Sequence, residues 1–287
     1  MTGFSMFPEQ HPGQANFVFD GYLDRQHVVT RLPRRDHGAV APFYDGVSSL
    51  FGSVYANAYH YRNVAQMLRV HSPLFVPELI TCYPWNDGRF MPTHRYVEGR
   101  AASSYDELTE SGSRAYGRFL ATLHGGVSTT GFGCYGNVKG AGSWWPTVRT
   151  TIQHLLNRYD HDDATYTEAR SVTECIQHLP EPARFAPIML DLDPSQYFIT
   201  NGHFCVLIDI DFYVFGPPEL ELIALESMYP GRLATSFRRG YESLRPFPDL
   251  STVRRVYRLL NRLLRVRGDL PYREWHDAPA LFQTLSR

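Results

Sequence analysis

The segment MLDLDPSQYFITNGHFCVLIDIDFYVFGPPELEL, residues 189–222, constrains this chain more than any other stretch. It holds two short apolar, β-prone runs, Tyr197 to Thr200 and Phe204 to Ile208, separated by Asn201-Gly202. Asn and Gly both accept the positive φ of a type I′ turn, so the segment predicts a tight hairpin. Folding the second strand back on the first sets Asp209 across from Pro194 and turns Asp191 and Asp209 toward one cleft. One carboxylate beside an incoming hydroxyl and another on a metal ion is the pairing that phosphoryl transfer from a nucleotide requires.

The 287 residues suit one large or two modest domains, and a 43% apolar share is ordinary for a folded globular chain. No apolar run approaches the ~18 residues needed to span a bilayer. The opening MTGFSMFPEQHPGQ lacks both a basic start and an apolar core, so no export signal is expected and the expected location is cytoplasmic. Cys82, Cys134, Cys175 and Cys205 show no CxxC spacing and read as reduced core thiols rather than metal ligands. A net charge of −1 draws the molecule toward neither nucleic acid nor a membrane surface. The 28 basic residues include a single lysine, Lys139. That skew reads as a high-GC bacterial genome, and it leaves any lysine role to Lys139 or to arginine.

Short strands dominate the first part of the chain. His27 to Leu32 is rich in β-branched residues and reads as a strand, residues 46–69 carry apolar side chains at helical spacing, Val76-Pro77 opens another strand, and Met91 to Val97 is a further one. Asn86-Asp87-Gly88 reads as a turn. Helical patterns follow at 105–124, 144–159 and up to about His178, then at 219–227, 232–244, 252–267 and near 278–285. Strands first and helices later is an α+β plan. The boundary falls near Glu98, giving residues 1–97 and 98–287.

The order D-x-x-P-x-Q, hairpin, I-D, then G-x-P-x-x-[DE]-L resembles the catalytic segment of aminoglycoside phosphotransferase-like kinases. GQANFVFDG (13–21) and HVVTRLPRR (27–35) look like the first strands of that family's small lobe. FVPELI (75–80) and THRYVEGR (93–100) look like the approach to the hinge, and FLATLHGG (119–126) with TGFGCYG (130–136) like the opening of the large lobe. The resemblance implies a two-lobed protein-kinase-like fold, a small β-rich N-lobe on a mostly helical C-lobe. It also implies transfer of the ATP γ-phosphoryl group to a hydroxyl of a small molecule. Asp191 then corresponds to the catalytic base, Asp209 to the main Mg²⁺ ligand, Gln196 to the second metal contact and Arg31 to the phosphate-gripping lysine. Glu221 and His124 match family positions that brace the catalytic loop.

Several positions depart from the family pattern. No acidic residue lies between Asp45 and Glu78 to pair with Arg31, and Asn57 and His60 are the nearest polar candidates. Met189 stands where a histidine usually braces the loop, Leu192 follows the base, and Asp193 replaces a common histidine. Gly13 and Gly21 are all that remains of a phosphate-covering glycine loop. These departures keep open a degraded kinase that binds a ligand or partner without phosphoryl transfer. The arginine-rich segment 253–268 reads first as a solvated amphipathic helix. As an alternative it offers a surface for an acidic peptide or protein, such as a peptide natural-product pathway would supply. Trp144, Trp145, Tyr213 and Phe215 are readable either as acceptor-cleft residues or as core.

Overall fold

The computed structural model describes residues 3–8, 16–34, 41–54, 57–85 and 88–282. Gly13, Asn86, Asp87 and the segment 283–285 lie outside the described residues. The first lobe is an antiparallel sheet of β1 (Phe4–Met6), β2 (Asn16–Leu23), β3 (Gln26–Pro33), β4 (Leu79–Pro84) and β5 (Phe90–Arg95), in the order β1-β2-β3-β5-β4. Val28, Val29 and Thr30 suit the pleated surface of the central strand β3. Asp24 and Arg25, with φ of 48° and 66°, close the β2–β3 turn. The strand expected to open at Val76 begins at Leu79, and the one expected over Met91–Val97 is Phe90–Arg95.

The single helix expected over 46–69 is two: α1 (Ala41–Phe51) and α2 (Ala58–His71). Gly52 at φ 88° ends the first, a position where a side chain would be strained. Asn57 starts the second, its side chain accepting the His60 backbone N–H at 2.9 Å. α2 packs against β4 of the first sheet. α1 lies instead on helices α4 (Trp144–Arg158) and α8 (Arg254–Leu263), with Ser49 Oγ 2.6 Å from Thr151 Oγ1. Lys139, the lone lysine, donates to the carbonyls of Ser49 and Leu50 at 3.1 and 2.9 Å and so caps the end of α1.

The second lobe runs through α3 (Glu110–Gly126), β6 (Gly131–Cys134), β7 (Asn137–Gly140), α4, α5 (Asp163–Ile176) and β8 (Ala186–Met189). It continues as β9 (Tyr197–Thr200), β10 (His203–Leu207), β11 (Tyr213–Gly216), α6 (Pro218–Glu226), α7 (Gly231–Glu242), α8 and α9 (Tyr272–His276). β7-β6-β11-β8 form a four-stranded sheet and β9-β10 a separate ribbon. α3 packs against α7 through glycines: a Cβ on Gly117 would lie 2.0 Å from the Phe237 carbonyl oxygen, and one on Gly240 1.9 Å from that of Arg114. Trp144, Trp145, Tyr213 and Phe215 are all buried core residues. Of the cysteines, Cys82 and Cys134 are buried, whereas Cys175 is exposed. No helix among the described residues is long and apolar enough to cross a membrane.

The arginine-rich stripe is tied into the chain. Arg254 and Arg258 meet the fully buried carboxylate of Glu226 at 2.9 and 3.2 Å, Arg255 meets Glu168 at 2.6 Å, and Arg262 meets Asp269 at 3.3 Å. Arg258 also donates to the carbonyls of His276 and Pro279 at 2.8 and 3.3 Å, pinning the C-terminal segment. These four arginines share three carboxylates, which ties the segment into the chain. α8 is shorter than the expected 252–267, and the last described helix is α9 rather than one starting near Ala278.

Candidate active site

The ribbon forms as its turn chemistry dictates. Asn201 and Gly202 take φ of 50° and 72°, and His203 pairs with Thr200. Its register differs from expectation by one residue. A bulge between Phe204 and Val206 leaves Cys205 outside the ladder, and Leu207 pairs with Tyr197. Ile208 N–H then donates to the Gln196 carbonyl at 2.9 Å, which places Asp209 beyond Gln196 rather than opposite Pro194. The bulge has a tertiary cause: Phe75, from the segment after α2, donates to Cys205 O at 3.0 Å and accepts from Leu207 N–H at 2.9 Å. On the other edge, Ala102 N–H donates to Tyr197 O and Ile199 N–H to Arg100 O. The ribbon is therefore held on both edges, by one segment from each side of the inter-lobe passage.

Arg31, Asp191, Gln196 and Asp209 all line one cavity of about 470 Å³, within the size range of small-ligand sites. Its walls include Val18, Val29, Val97 and Phe198. Phe198 leans so closely on the inter-lobe chain that a Cβ on Gly99 would come within 2.1 Å of its ring.

Asp191 follows β8. The carboxyl accepts from Gln196 Nε2 at 2.7 Å and, at 3.4 Å, from the Asp193 backbone N–H. Burial, then the neighbouring charges of Asp209 and Asp193, push its pKa up to about 7. Asp193 caps the one-turn helix Pro194–Gln196, its Oδ1 accepting from Ser195 N–H at 2.8 Å. Met189 is buried in the core, and two other groups hold the loop in place of a histidine at that position. Glu221 Oε1 accepts from Met189 N–H at 2.8 Å, and Tyr105 OH donates to Leu192 O at 2.7 Å. Glu221 is in turn bonded to His124 Nε2 at 2.6 Å. Glu221 and His124 are legible in sequence. Tyr105 is not, because it arrives from 87 residues away without a motif.

Arg31 Nη1 contacts Asp209 Oδ2 at 2.6 Å and lies 3.8 Å from Asp211 Oδ1, while Nη2 donates to the Ile208 carbonyl at 2.8 Å. Burial opposes the guanidinium charge, but Asp209 and Asp211 outweigh it and raise the Arg31 pKa. Asp209 Oδ1 accepts from Asp211 N–H at 3.1 Å, and Asp211 Oδ2 accepts from Asn16 Nδ2 at 2.8 Å. Asn57 and His60 bond elsewhere than to Arg31. His60 Nε2 donates to Tyr213 O at 2.9 Å while its Nδ1 accepts from Tyr135 N–H at 3.0 Å. The next residue of α2, Tyr61, faces the site and donates to His94 Nε2 at 2.7 Å. Sequence reasoning passed over Asp211, although its position two residues after Asp209 was the available signal.

No protein-family model matches this sequence, and no curated protein sequence does. Solved structures do. A macrolide 2′-phosphotransferase, MphH from Brachybacterium faecium, is 14% identical with a TM-score of 0.60, over 99% of this chain and 93% of its own. The GDP complex of aminoglycoside 2′-phosphotransferase-IIIa is 14% identical with a TM-score of 0.56, over 92% of this chain and 84% of its own. A thermostable mutant of APH(4)-Ia with AMP-PNP and hygromycin B is 17% identical with a TM-score of 0.57, over 91% of this chain and 83% of its own. The chain therefore has the α+β, kinase-like fold of the macrolide and aminoglycoside phosphotransferases, a β-sheet lobe joined to a helical one.

Proposed function

We propose that this protein is an ATP-dependent phosphotransferase acting on a hydroxyl of a small molecule in the bacterial cytoplasm. In this reading residues 1–97 bind the nucleotide, and residues 98–287 carry the ribbon and the acceptor site. The observation that carries it is the convergence of Asp191, Gln196, Asp209 and Arg31 on one cavity between a β-sheet and the ribbon.

The residues fit a magnesium–nucleotide complex. Asp209 offers a carboxylate and Gln196 an amide oxygen, its NH₂ being already engaged by Asp191. Among the described residues no group of three or more His, Cys, Asp or Glu side chains forms a cation cage. Magnesium does not need one, since it is usually held by one or two carboxylates together with phosphate oxygens and water. When bound, Mg²⁺ supplies charge neutralisation at the transferring phosphoryl group. Arg31 draws the phosphates toward β3, a fork in place of a point charge. Asp191 orients the acceptor hydroxyl and takes its proton, and a carboxyl pushed up to about 7 is well matched to that task near neutral pH. Catalysis in this scheme is chiefly positioning and electrostatics.

Incubating the purified protein with γ-labelled ATP and a panel of hydroxylated antibiotics and sugars tests the reading. Asp191→Asn should lower kcat by at least about 100-fold with little change in the KM for ATP. An unchanged kcat would remove Asp191 from the role of base. One observation favours a second reading. No acidic residue lies between Asp45 and Glu78 to hold Arg31 from α2, which suits a kinase-like protein that no longer transfers phosphate. Absence of ATP binding at millimolar concentration, with Mg²⁺ present, would favour that reading over the enzyme.

A further inference from the structure

Asp211 is a second carboxylate that the four-residue site does not use. Its side chain is 9% exposed, against 14% for Arg31 and 20% for Asp209. Asn16 Nδ2 holds one oxygen, Oδ2, at 2.8 Å. The other, Oδ1, is buried and accepts no hydrogen bond from a described residue. It faces Arg31 Nη1 at 3.8 Å. Nη1 is itself buried, and its N–H groups are poorly aligned with both carboxylates despite the close approach to Asp209. One guanidinium nitrogen thus stands between two carboxylates, in contact with the first and short of a hydrogen bond to the second. A shift of about 1 Å would bring it to ordinary hydrogen-bonding distance from Asp211. α2 supplies no carboxylate from its own side, because the sequence has none between Asp45 and Glu78.

We propose that Asp211 is a positioning residue that keeps Arg31 in place when Asp209 turns from Arg31 to the metal–nucleotide complex. The inference rests on the phosphotransferase reading. In the resting arrangement Asp209 neutralises Arg31. Once Asp209 is engaged by a cation, a buried guanidinium would lose its close partner, and Asp211 is the carboxylate already within reach. Nη2 stays on the Ile208 carbonyl, which anchors the fork while Nη1 changes partner. Asn16, on β2, fixes the Asp211 carboxyl so that Oδ1 keeps facing β3.

The alternative is that Asp211 merely adds negative charge beside a triphosphate, and the two roles differ in sign. Calorimetric titration of ATP with and without Mg²⁺, on wild type, Asp211→Asn, Arg31→Ala and the double variant, separates them. If Asp211 positions Arg31, Asp211→Asn weakens Mg·ATP binding by at least about tenfold, the loss expected for one charge-assisted hydrogen bond. That loss disappears in the Arg31→Ala background, because Asp211 acts only through Arg31. Equal or tighter Mg·ATP binding by Asp211→Asn, or the same loss with and without Arg31, overturns the inference while leaving the phosphotransferase reading in place. Failure of wild type to bind Mg·ATP overturns both. If Asp211→Asn does not fold, Asn16→Ala, which frees the Asp211 carboxyl, should weaken Mg·ATP binding in the same direction by a smaller factor, and no weakening there also overturns the inference.

Discussion

At the scale of single residues, the site joins a carboxyl that resists ionisation to an arginine that cannot lose its charge. Asp191 is crowded by burial and by Asp209 and Asp193, so its pKa rises to about 7 from the ordinary carboxylate range. A carboxyl whose pKa rises on folding binds its proton more tightly in the native state. Its stabilising contribution is complete below the unfolded value, near pH 4, and is lost as the pH climbs through about 7. Asp191→Asn cannot ionise, so it should gain stability relative to wild type between about pH 5 and pH 8, by roughly 1–2 kcal/mol after allowing for cleft water. Urea denaturation at the two pH values measures this, and a difference that stays constant would show that the carboxyl is not held protonated. Asp191, Gln196 and Asp209 stand out in sequence because they flank the Asn201-Gly202 hairpin, whereas Arg31 is singled out by the family resemblance, and the structure brings all four to one cavity. Tyr105 was not legible, since its bond to Leu192 O depends on how two distant segments meet.

Elements position these residues by backbone clamps more than by side chains. The β9–β10 ribbon is edged by Phe75 on one side and by Arg100 to Ala102 on the other, so neither strand offers a free edge there. Its turn rests on the start of α3, where Gly112 lies so close that a Cβ would come 1.9 Å from the Gly202 carbonyl oxygen. Backbone cannot give way as a flexible side chain can. Gly112→Ala should therefore cost about 1–3 kcal/mol and displace the ribbon, lowering turnover as well as stability. Chemical denaturation with a parallel activity assay checks both, and a variant of wild-type stability would mean that the turn and α3 are not in contact. The hairpin itself was readable from Asn201-Gly202, a local signal. The register was off by one because the bulge at Cys205 answers to Phe75, a tertiary partner that periodicity cannot reveal. Likewise the apolar spacing across 46–69 continues through a break made by Gly52 and the Asn57 cap, and the two helices pack on different neighbours.

For the molecule as a whole, the passage between lobes is wired by neutral histidines. His60 joins α2 to the backbone of Tyr213 and Tyr135, and His94 links β5 to Tyr61 and to the Pro77 carbonyl. Burial lowers both pKa values to about 4. A histidine depressed on folding binds fewer protons in the native state than unfolded, so stability is lost as the pH falls from about 6.5 toward 4. For His60, 2% exposed, linkage gives roughly 3 kcal/mol over that window, and less for the more open His94. Thermal melts of wild type and His60→Gln between about pH 7 and pH 4.5 should converge as the pH falls, whereas parallel curves would contradict the assignment. The fold class was legible from the order of strands and helices. The helix split and α1's place on α4 and α8 were not, because amphipathic patterning names a buried face without naming its partner. The central claim is that a folded-back ribbon brings two aspartates into one nucleotide and metal pocket. A crystal structure with Mg²⁺ and a non-hydrolysable ATP analogue tests it most directly. The account predicts the metal on Asp209 and the Gln196 amide oxygen, Arg31 on phosphate, and the Asp191 carboxyl open toward the terminal phosphoryl group. A nucleotide bound elsewhere, or a cavity in which Arg31 and Asp209 stay paired and no metal enters, would contradict it.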